Sequence, residues 1–415
     1  MGLEVCTSVL VPTYRAILGQ LVWIPKRGSS RAIQQPCDPP PFCRLPTELL
    51  LAIAGNLHIG DLQQLLRVCR ATKPVAESRM YQHIVIRWFR RDKIVPLLET
   101  LHDRQDLARQ VISFEGYLFL DPRVLVRARR ESRRSIRFMR WLRGAETVEE
   151  QIFSRFSSVL AGALDNMTNL RNLFVYDLWY GISLNAHLMR NAAPRMSLTY
   201  LQIGPPFDGL NGPPVASAGR ELLFLLREQP LLERLTLPGT HQSLAGQQLL
   251  PSDIPSLRCL DGVASDIIKI IPGRPVTSLN VCETADEPAT ELWGKLNAST
   301  QPITRITLHI VRNDLLDLNL KGMVKNLPLL RNLTLIGVRG DKDYEVILAN
   351  VRLFGSLRSL TVYSPKFDAD VLRMLCPNVE RVSVVGGGVF YPDYIFCNYC
   401  KGNGVFTEAI ATHDP

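Results

Sequence analysis

The sequence predicts an α/β protein in which three short N-terminal helices are followed by a curved solenoid of parallel strands with helices on its outer side. Two observations predict this fold class. Apolar residues recur every four positions from Leu45 to Leu57, which is the spacing of an amphipathic helix. An apolar-x-x-apolar-x-apolar element then recurs between residues 167 and 384, and its last step alternates as a strand does.

Composition excludes several classes of protein. The chain has 415 residues, of which 46% are hydrophobic and 21% charged, so it can bury a large core. Its net charge of 48 minus 39, or +9, is too small for a histone-like polyelectrolyte. The odd count of 9 cysteines indicates a reducing compartment, and no apolar stretch approaches the roughly 20 residues of a membrane span. We therefore expect a cytoplasmic and/or nuclear protein that makes no membrane contact.

The N-terminal part divides into a leader and a helical segment. Residues 1–43 have no sustained period and end in a proline-rich run, so we expect a disordered tether. In residues 44–85, Gly60 closes the first helix, Asp61 caps the second and Pro74 begins the third. Three short helices bury little area, and this favours a docking module whose core is completed by a partner or by the rest of the chain.

The helical segment resembles an F-box. The resemblance rests on Leu45-Pro46-Thr47-Glu48-Leu49, on Val68-Cys69-Arg70 and on Val75-Ala76-Glu77, although Lys73-Pro74-Val75 stands where many members carry a tryptophan. It implies a three-helix hook that binds the Skp-type adaptor of a cullin-RING ubiquitin ligase. It also implies that adaptor contact and the packing of the hook come from Leu45, Pro46, Leu49, Ile53, Leu57, Leu62, Leu65, Val68 and Cys69. The alternative is an ordinary amphipathic helical hairpin.

Residues 86–385 are predicted to form the solenoid. Eight copies of the apolar element begin at Leu170, Leu198, Leu232, Val276, Ile303, Leu330, Leu357 and Val379, with a partial copy at Leu257. Their mean spacing of about 26 residues lies in the range of leucine-rich repeats. The sequence resembles that family but lacks the asparagine that regular repeats carry after the strand, so the repeats are irregular. Residues 386–415 form a C-terminal tail.

Other patterns extend this solenoid. Ile84 and Ile86 read as an earlier strand, residues 94–101 as a helix, and Leu107 with Val111 and Phe114 as the next repeat. If so, the solenoid continues directly from the helical module. Helical patterns precede several strands, and these cover residues 153–164, 222–226, 344–351 and 371–375.

No catalytic or metal-binding constellation stands out. Cys397 and Cys400 have the spacing of one zinc ligand pair, but no second pair lies at a suitable distance. Phosphate-loop, His-Glu-x-x-His and Gly-x-Ser-x-Gly motifs are absent from the sequence. We expect no enzymatic activity, no cofactor and no metal.

An arginine-rich segment at residues 121–143 is the strongest competing signal. It carries nine arginines against Asp121 and Glu131, a local balance of +7. The apolar residues between them fall three or four apart, so the segment can be a helix with a solvated face. An acidic or phosphorylated partner and nuclear import are further interpretations, and sequence-specific nucleic-acid recognition is the least favoured.

These observations lead to a functional hypothesis. The F-box resemblance implies a substrate-recognition subunit of a Skp/cullin/F-box ubiquitin ligase, whose repeats hold a target protein of unknown identity. A leucine-rich-repeat scaffold without a ubiquitin role and a nucleic-acid-binding protein are the alternatives. Aromatic residues and arginine are common interface anchors. The strand positions that we expect to face a target are Tyr176, Tyr200, Arg305, His309, Tyr363 and Arg381.

Overall fold

The computed structural model describes residues 44–86, 94–117, 158–176, 195–203, 216–237, 249–282, 291–311, 313–338, 341–364 and 379–385. The leader, the arginine-rich segment, the predicted helix at 371–375 and the C-terminal tail with Cys397 and Cys400 lie outside these residues. Within the described part, no helix is long and apolar enough to cross a membrane.

The described residues contain one sheet of eleven parallel strands. Its strands stand side by side in sequence order, which is the order that a solenoid of strand-and-helix repeats produces. They are β1 (His83–Ile86), β2 (Ser113–Tyr117), β3 (Asn172–Tyr176), β4 (Tyr200–Ile203), β5 (Arg234–Thr236), β6 (Cys259–Val263), β7 (Ser278–Cys282), β8 (Arg305–His309), β9 (Asn332–Ile336), β10 (Ser359–Tyr363) and β11 (Arg381–Val385). The predicted repeats, including the partial copy and the earlier strand at Ile84, all contribute to this sheet.

The register of the sheet aligns equivalent repeat positions. Leu279, Ile306, Leu333 and Leu360 stand opposite one another at the second position of their strands. These side chains are buried in one continuous core. The first and third positions point to the other side of the sheet, which we call the open face, because successive side chains of a strand alternate.

Helices lie between the strands and close the core from behind. They are α4 (Ile94–Asp103), α5 (Gln105–Ala108), the described residues 158–166 of α6, α7 (Ala216–Arg227), α8 (Ala264–Ile270), α9 (Leu316–Asn326) and α10 (Asp341–Val351). Their apolar residues, such as Leu160, Leu226 and Ile347, are buried in the same core as the strand leucines. The helices predicted at 222–226 and 344–351 agree with α7 and α10. The helix predicted at 153–164 agrees with α6 from residue 158 onward, and residues 153–157 lie outside the described residues.

In the described part of the chain, three helices precede the sheet and have a small core of their own. They are α1 (Thr47–Gly55), α2 (Ile59–Val68) and α3 (Thr72–Gln82), which we call the N-terminal module. Its core contains Leu50, Ala54, Leu62, Leu65, Val75 and Ala76. The buried hydroxyl of Thr72 lies 2.9 Å from the carbonyl oxygen of Leu65, to which it donates a hydrogen bond that ties α3 to α2.

Two details of the module differ from the sequence predictions. His58, and not Asp61, caps α2, because its imidazole accepts a hydrogen bond from the Gly60 amide at 3.4 Å. Helix α3 begins at Thr72, two residues before Pro74. Proline is tolerated there because the amides of a first helical turn have no partner within the helix.

The module is joined directly to the sheet. Helix α3 ends at Gln82 and β1 begins at His83, so the boundary predicted at residues 85 and 86 falls inside the first strand. The Gln82 carbonyl accepts a hydrogen bond from the Ile112 amide at 2.9 Å, and Ser78 donates to the side-chain oxygen of Gln110 at 3.1 Å. Tyr81 packs against the core of the solenoid. Helix α3 therefore packs in the N-terminal module and also against the solenoid.

Candidate protein-interaction surfaces

The first candidate surface is the exposed side of α1. Pro46, Leu49 and Ile53 lie three and four residues apart, so they share one side of the helix. Leu49 is 52% exposed, Pro46 is also exposed, and Ile53 is half-buried. We call these three residues the α1 face. An exposed apolar strip on a short helix is a feature of surfaces that bind other proteins.

The residues assigned to adaptor binding fall into two groups. Leu62 and Leu65 are buried inside the module, and Leu45 and Leu57 pack against that same core, so these four support the fold of the module. The accessible group consists of the α1 face together with Val68, which is 39% exposed, and Cys69, which is half-buried. Leu45 and Leu57 are half-buried, so within the module the most exposed of the assigned residues are Pro46, Leu49 and Val68.

The second candidate surface is the open face of the sheet, where β3 to β6 carry a connected cluster. The rings of Phe174 and Tyr200 meet edge to face with centroids 4.6 Å apart. The guanidinium carbon of Arg234 lies 4.7 Å from the centroid of the Tyr200 ring, and its Nη2 is 3.6 Å from Asp261 Oδ2. Thr236 donates a hydrogen bond to the same carboxylate oxygen at 2.8 Å. We call these five residues the central cluster.

Asp261 is a carboxyl group buried on the open face, with an exposed fraction of only 6%. Loss of solvent raises the pKa of its carboxyl, and the charge of Arg234 and the hydrogen bond from Thr236 oppose this only in part. In the unfolded chain this carboxyl has its ordinary pKa of about 3.9. Because its pKa is higher in the folded chain, its contribution to stability is complete below about pH 3.9 and is lost as the pH rises through the raised pKa. The central cluster therefore holds a carboxylate that costs stability at neutral pH, as is common at functional positions.

Replacing Asp261 with asparagine should remove this cost. Asparagine keeps an acceptor for Thr236 but carries no charge to desolvate. We expect the free energy of unfolding of Asp261→Asn to increase relative to that of the wild type, so that the variant becomes the more stable of the two, as the pH rises from about 4 to about 7. Urea denaturation across that range measures the difference. Asp103→Asn on an exposed helix end is the matched control. A difference for Asp261→Asn that does not change with pH would contradict the assignment.

The residues predicted to bind a target differ in how much of each side chain is exposed. Tyr200 belongs to the central cluster, and Arg305 and Arg381 are exposed at the first positions of β8 and β11. Tyr363 is half-buried, and burial raises the pKa of its phenol. Tyr176 is the last residue of β3, and its side chain lies outside the described part.

His309 offers little surface, because it is only 8% exposed. It stands opposite Cys282 in the register of β7 and β8. Burial lowers the pKa of His309 to about 4 and raises the pKa of Cys282 to about 12. Both groups are neutral at pH 7, so the pair does not form the thiolate and imidazolium of a cysteine nucleophile. Among the described residues, no group of three potential ligands could hold a metal ion.

Sequence reasoning missed several open-face residues, among them Asp261 and Asn280. Both occupy third positions, and the register places them next to each other on β6 and β7. The copy at Leu257 looks partial because Gly262 stands where the other repeats have a second inward side chain. Continuing the register past Leu260 regardless of Gly262 would have identified Asp261 as an outward residue.

Comparison with known proteins gives a distant likeness only. No family model and no curated protein matches the sequence. Among solved structures, the chain is similar to the leucine-rich repeat-containing protein LegL7 from Legionella pneumophila, with 13% identity and a TM-score of 0.36 over 61% of this chain and 88% of that one. A likeness this distant assigns no function. The strand order of this chain is that of a solenoid of parallel strand-and-helix repeats.

Proposed function

We propose that the protein is the substrate-recognition subunit of a Skp/cullin/F-box ubiquitin ligase, acting in the cytoplasm, the nucleus or both. The observation that supports this proposal is that the N-terminal module has its own small core and yet leaves Pro46 and Leu49 of the α1 face exposed. The exposed residues Pro46 and Leu49 belong to the Leu-Pro-x-Glu-Leu run that resembles the opening of an F-box. In this proposal the α1 face, Val68 and Cys69 contact the Skp-type adaptor.

The proposed contribution of this chain is proximity, and it catalyses no reaction itself. Helix α3 packs both in the module and against the first repeats, where Glu77 and Arg104 approach to 3.9 Å. A direct connection of this kind would hold a target bound on the sheet at a set distance from the adaptor. Holding two reactants close converts a rare encounter into an effectively intramolecular one. Ubiquitin transfer would then be carried out by the other subunits.

Replacing Leu49 with aspartate tests the adaptor contact. Because a carboxylate in an apolar interface loses its hydration without gaining a partner, we expect at least a tenfold loss of adaptor binding. The change should leave the fold intact, since Leu49 is already half exposed. The measurement is co-purification of a Skp-type adaptor with the full-length chain, followed by titration of the purified components.

The matched control is Leu353→Asp, because Leu353 is 60% exposed and lies in the solenoid just after α10. It introduces the same charge away from the module and should bind the adaptor as the wild type does. Adaptor binding that survives Leu49→Asp, or wild-type protein that binds no adaptor, would overturn the proposal. The second result would leave the chain as a leucine-rich-repeat scaffold without a ubiquitin role.

A further inference from the structure

Four exposed arginines line one edge of the last repeats. Arg305 and Arg381 occupy the first positions of β8 and β11, and Arg331 and Arg358 immediately precede β9 and β10. All four lie at the ends where the parallel strands begin, so they border the same edge of the sheet. We call them the arginine strip.

Backbone hydrogen bonds fix the spacing of the arginine strip. The Arg358 amide donates to the Arg331 carbonyl at 2.8 Å, and the Arg381 amide donates to the Arg358 carbonyl at 2.9 Å. Arg331, Arg358 and Arg381 therefore follow one another at one strand each, which is about 4.8 Å. The Arg331 amide donates to the carbonyl of Thr304, the residue before Arg305, at 2.9 Å, so Arg305 lies one strand and one residue from Arg331. From β8 to β11 the sheet advances by three strands, or about 14 Å.

The positive charge of the strip is largely uncompensated. Glu380 lies 3.8 Å from Arg358, and this is an exposed pair that contributes little stability. The described residues place no carboxylate within ion-pair distance of Arg305, Arg331 or Arg381. Like charges at this spacing repel each other, so packing of the sheet does not explain the strip.

A row of hydroxyl groups runs beside the strip on the open face. Thr307, Thr334, Thr361 and Ser383 occupy the third positions of β8 to β11 and stand directly opposite one another in the register. All are partly exposed. We call them the hydroxyl row. Each hydroxyl can donate and accept, which suits the backbone of an extended segment lying across the strands.

We propose that the arginine strip and the hydroxyl row bind an extended acidic segment of a target protein, whose negative charges are carboxylates or phosphates. Guanidinium groups match both groups in geometry and charge. At about 3.3 Å per residue, a segment of roughly five residues spans the 14 Å of the strip. The inference rests on the proposed target-binding role of the repeats but not on adaptor binding.

The residues around the strip favour a peptide over single-stranded nucleic acid. Proteins that bind single strands usually stack the bases on aromatic side chains. The first positions between Arg305 and Arg381 are instead Asn332 and Ser359, and the third positions form the hydroxyl row. Tyr363 lies at the far end of β10 from Arg358.

Peptide binding to the full-length chain tests the inference. The probes are three fluorescent ten-residue peptides. The first alternates serine with glutamate, the second alternates phosphoserine with glutamate, and the third alternates serine with glutamine. A ten-nucleotide single-stranded DNA is the fourth probe. We expect one or both acidic peptides to bind, more weakly as salt is raised, and the glutamine peptide to bind at least tenfold more weakly.

Charge-matched variants locate the binding. Arg331→Gln with Arg358→Gln should lower acidic-peptide affinity at least tenfold, whereas Arg67→Gln with Arg109→Gln removes the same charge from exposed positions elsewhere and should preserve it. Both pairs are also made in a chain with Arg129, Arg130, Arg133 and Arg134 changed to glutamine, so that the arginine-rich segment does not contribute.

The outcomes separate this inference from the proposed function. Binding by the glutamate peptide identifies a constitutively acidic target, and binding by the phosphoserine peptide alone identifies a phosphorylated one. Both support the inference. Binding of the DNA alone, equal loss in both variant pairs, or no binding by either acidic peptide would overturn it. Adaptor binding is measured on the same preparations, so either proposal can fail without the other.

Discussion

Leu333→Ala should lower the free energy of unfolding by about 2–5 kcal/mol, the largest effect that we expect from a single residue. Leu333 is 1% exposed and stands between Ile306 and Leu360 on β9, which has a neighbouring strand on each side. Removing three carbon atoms at this position leaves a cavity that neighbouring repeats can close only by moving. Because each repeat is stabilised mainly by its neighbours, the loss should extend into β8 and β10.

Urea denaturation measures the loss at Leu333, and hydrogen exchange of the β8 and β10 amides measures its spread. The matched control is Thr334→Ala, which shortens the next side chain on the open face. A partly exposed position of this kind should change stability by about 0.5 kcal/mol or less. Equal effects of the two variants would show that Leu333 does not face the core.

Lowering the pH from about 7 to about 4 should reduce the free energy of unfolding through His309. Burial lowers the pKa of His309 to about 4 in the folded chain, against an ordinary value of about 6.5. The unfolded chain therefore takes up a proton in this window before the folded chain does. Stability is complete above about pH 6.5 and is lost as the pH falls, with a total of about 3 kcal/mol from this one group.

A glutamine at position 309 isolates this contribution, because it keeps polar groups but does not titrate in this range. We expect His309→Gln to lose about 3 kcal/mol less than the wild type between about pH 7 and about pH 4. His83→Gln, an exposed position on β1, should retain the acid sensitivity of the wild type. Identical pH profiles for His309→Gln and the wild type would contradict the buried, neutral state of His309.

The repeats were predictable because their signal is local. A strand that buries alternate side chains must show apolar residues two apart, and that requirement is visible in each copy separately. Leu333 and Leu335 could thus be assigned to the core without knowing their neighbours. The fainter strand at Ile84 and Ile86 was predicted in the same way, and both side chains are buried.

The N-terminal module was predictable only in part. The four-residue spacing from Leu45 to Leu57 indicates an amphipathic helix, but it does not say which apolar residues face a partner. Leu65 is buried in the small core that the three helices share, while Leu49 has the same chemistry and remains exposed. The packing of α1, α2 and α3 against one another decides between them.

What the sequence by itself determined is the period of the repeats, the alternation within each strand and the three-helix start, because each depends on residues close together along the chain. Only the tertiary structure decided which side chains meet across strands. The central cluster joins Tyr200, Arg234 and Asp261 from three repeats. The arginine strip joins four arginines from four further repeats. Arg274 shows the same principle in the core: its buried guanidinium donates to the carbonyls of Asp253, at 3.0 Å, and Leu250. These partners lie 21 and 24 residues away in sequence, and the register that brings distant residues together leaves no local pattern to read.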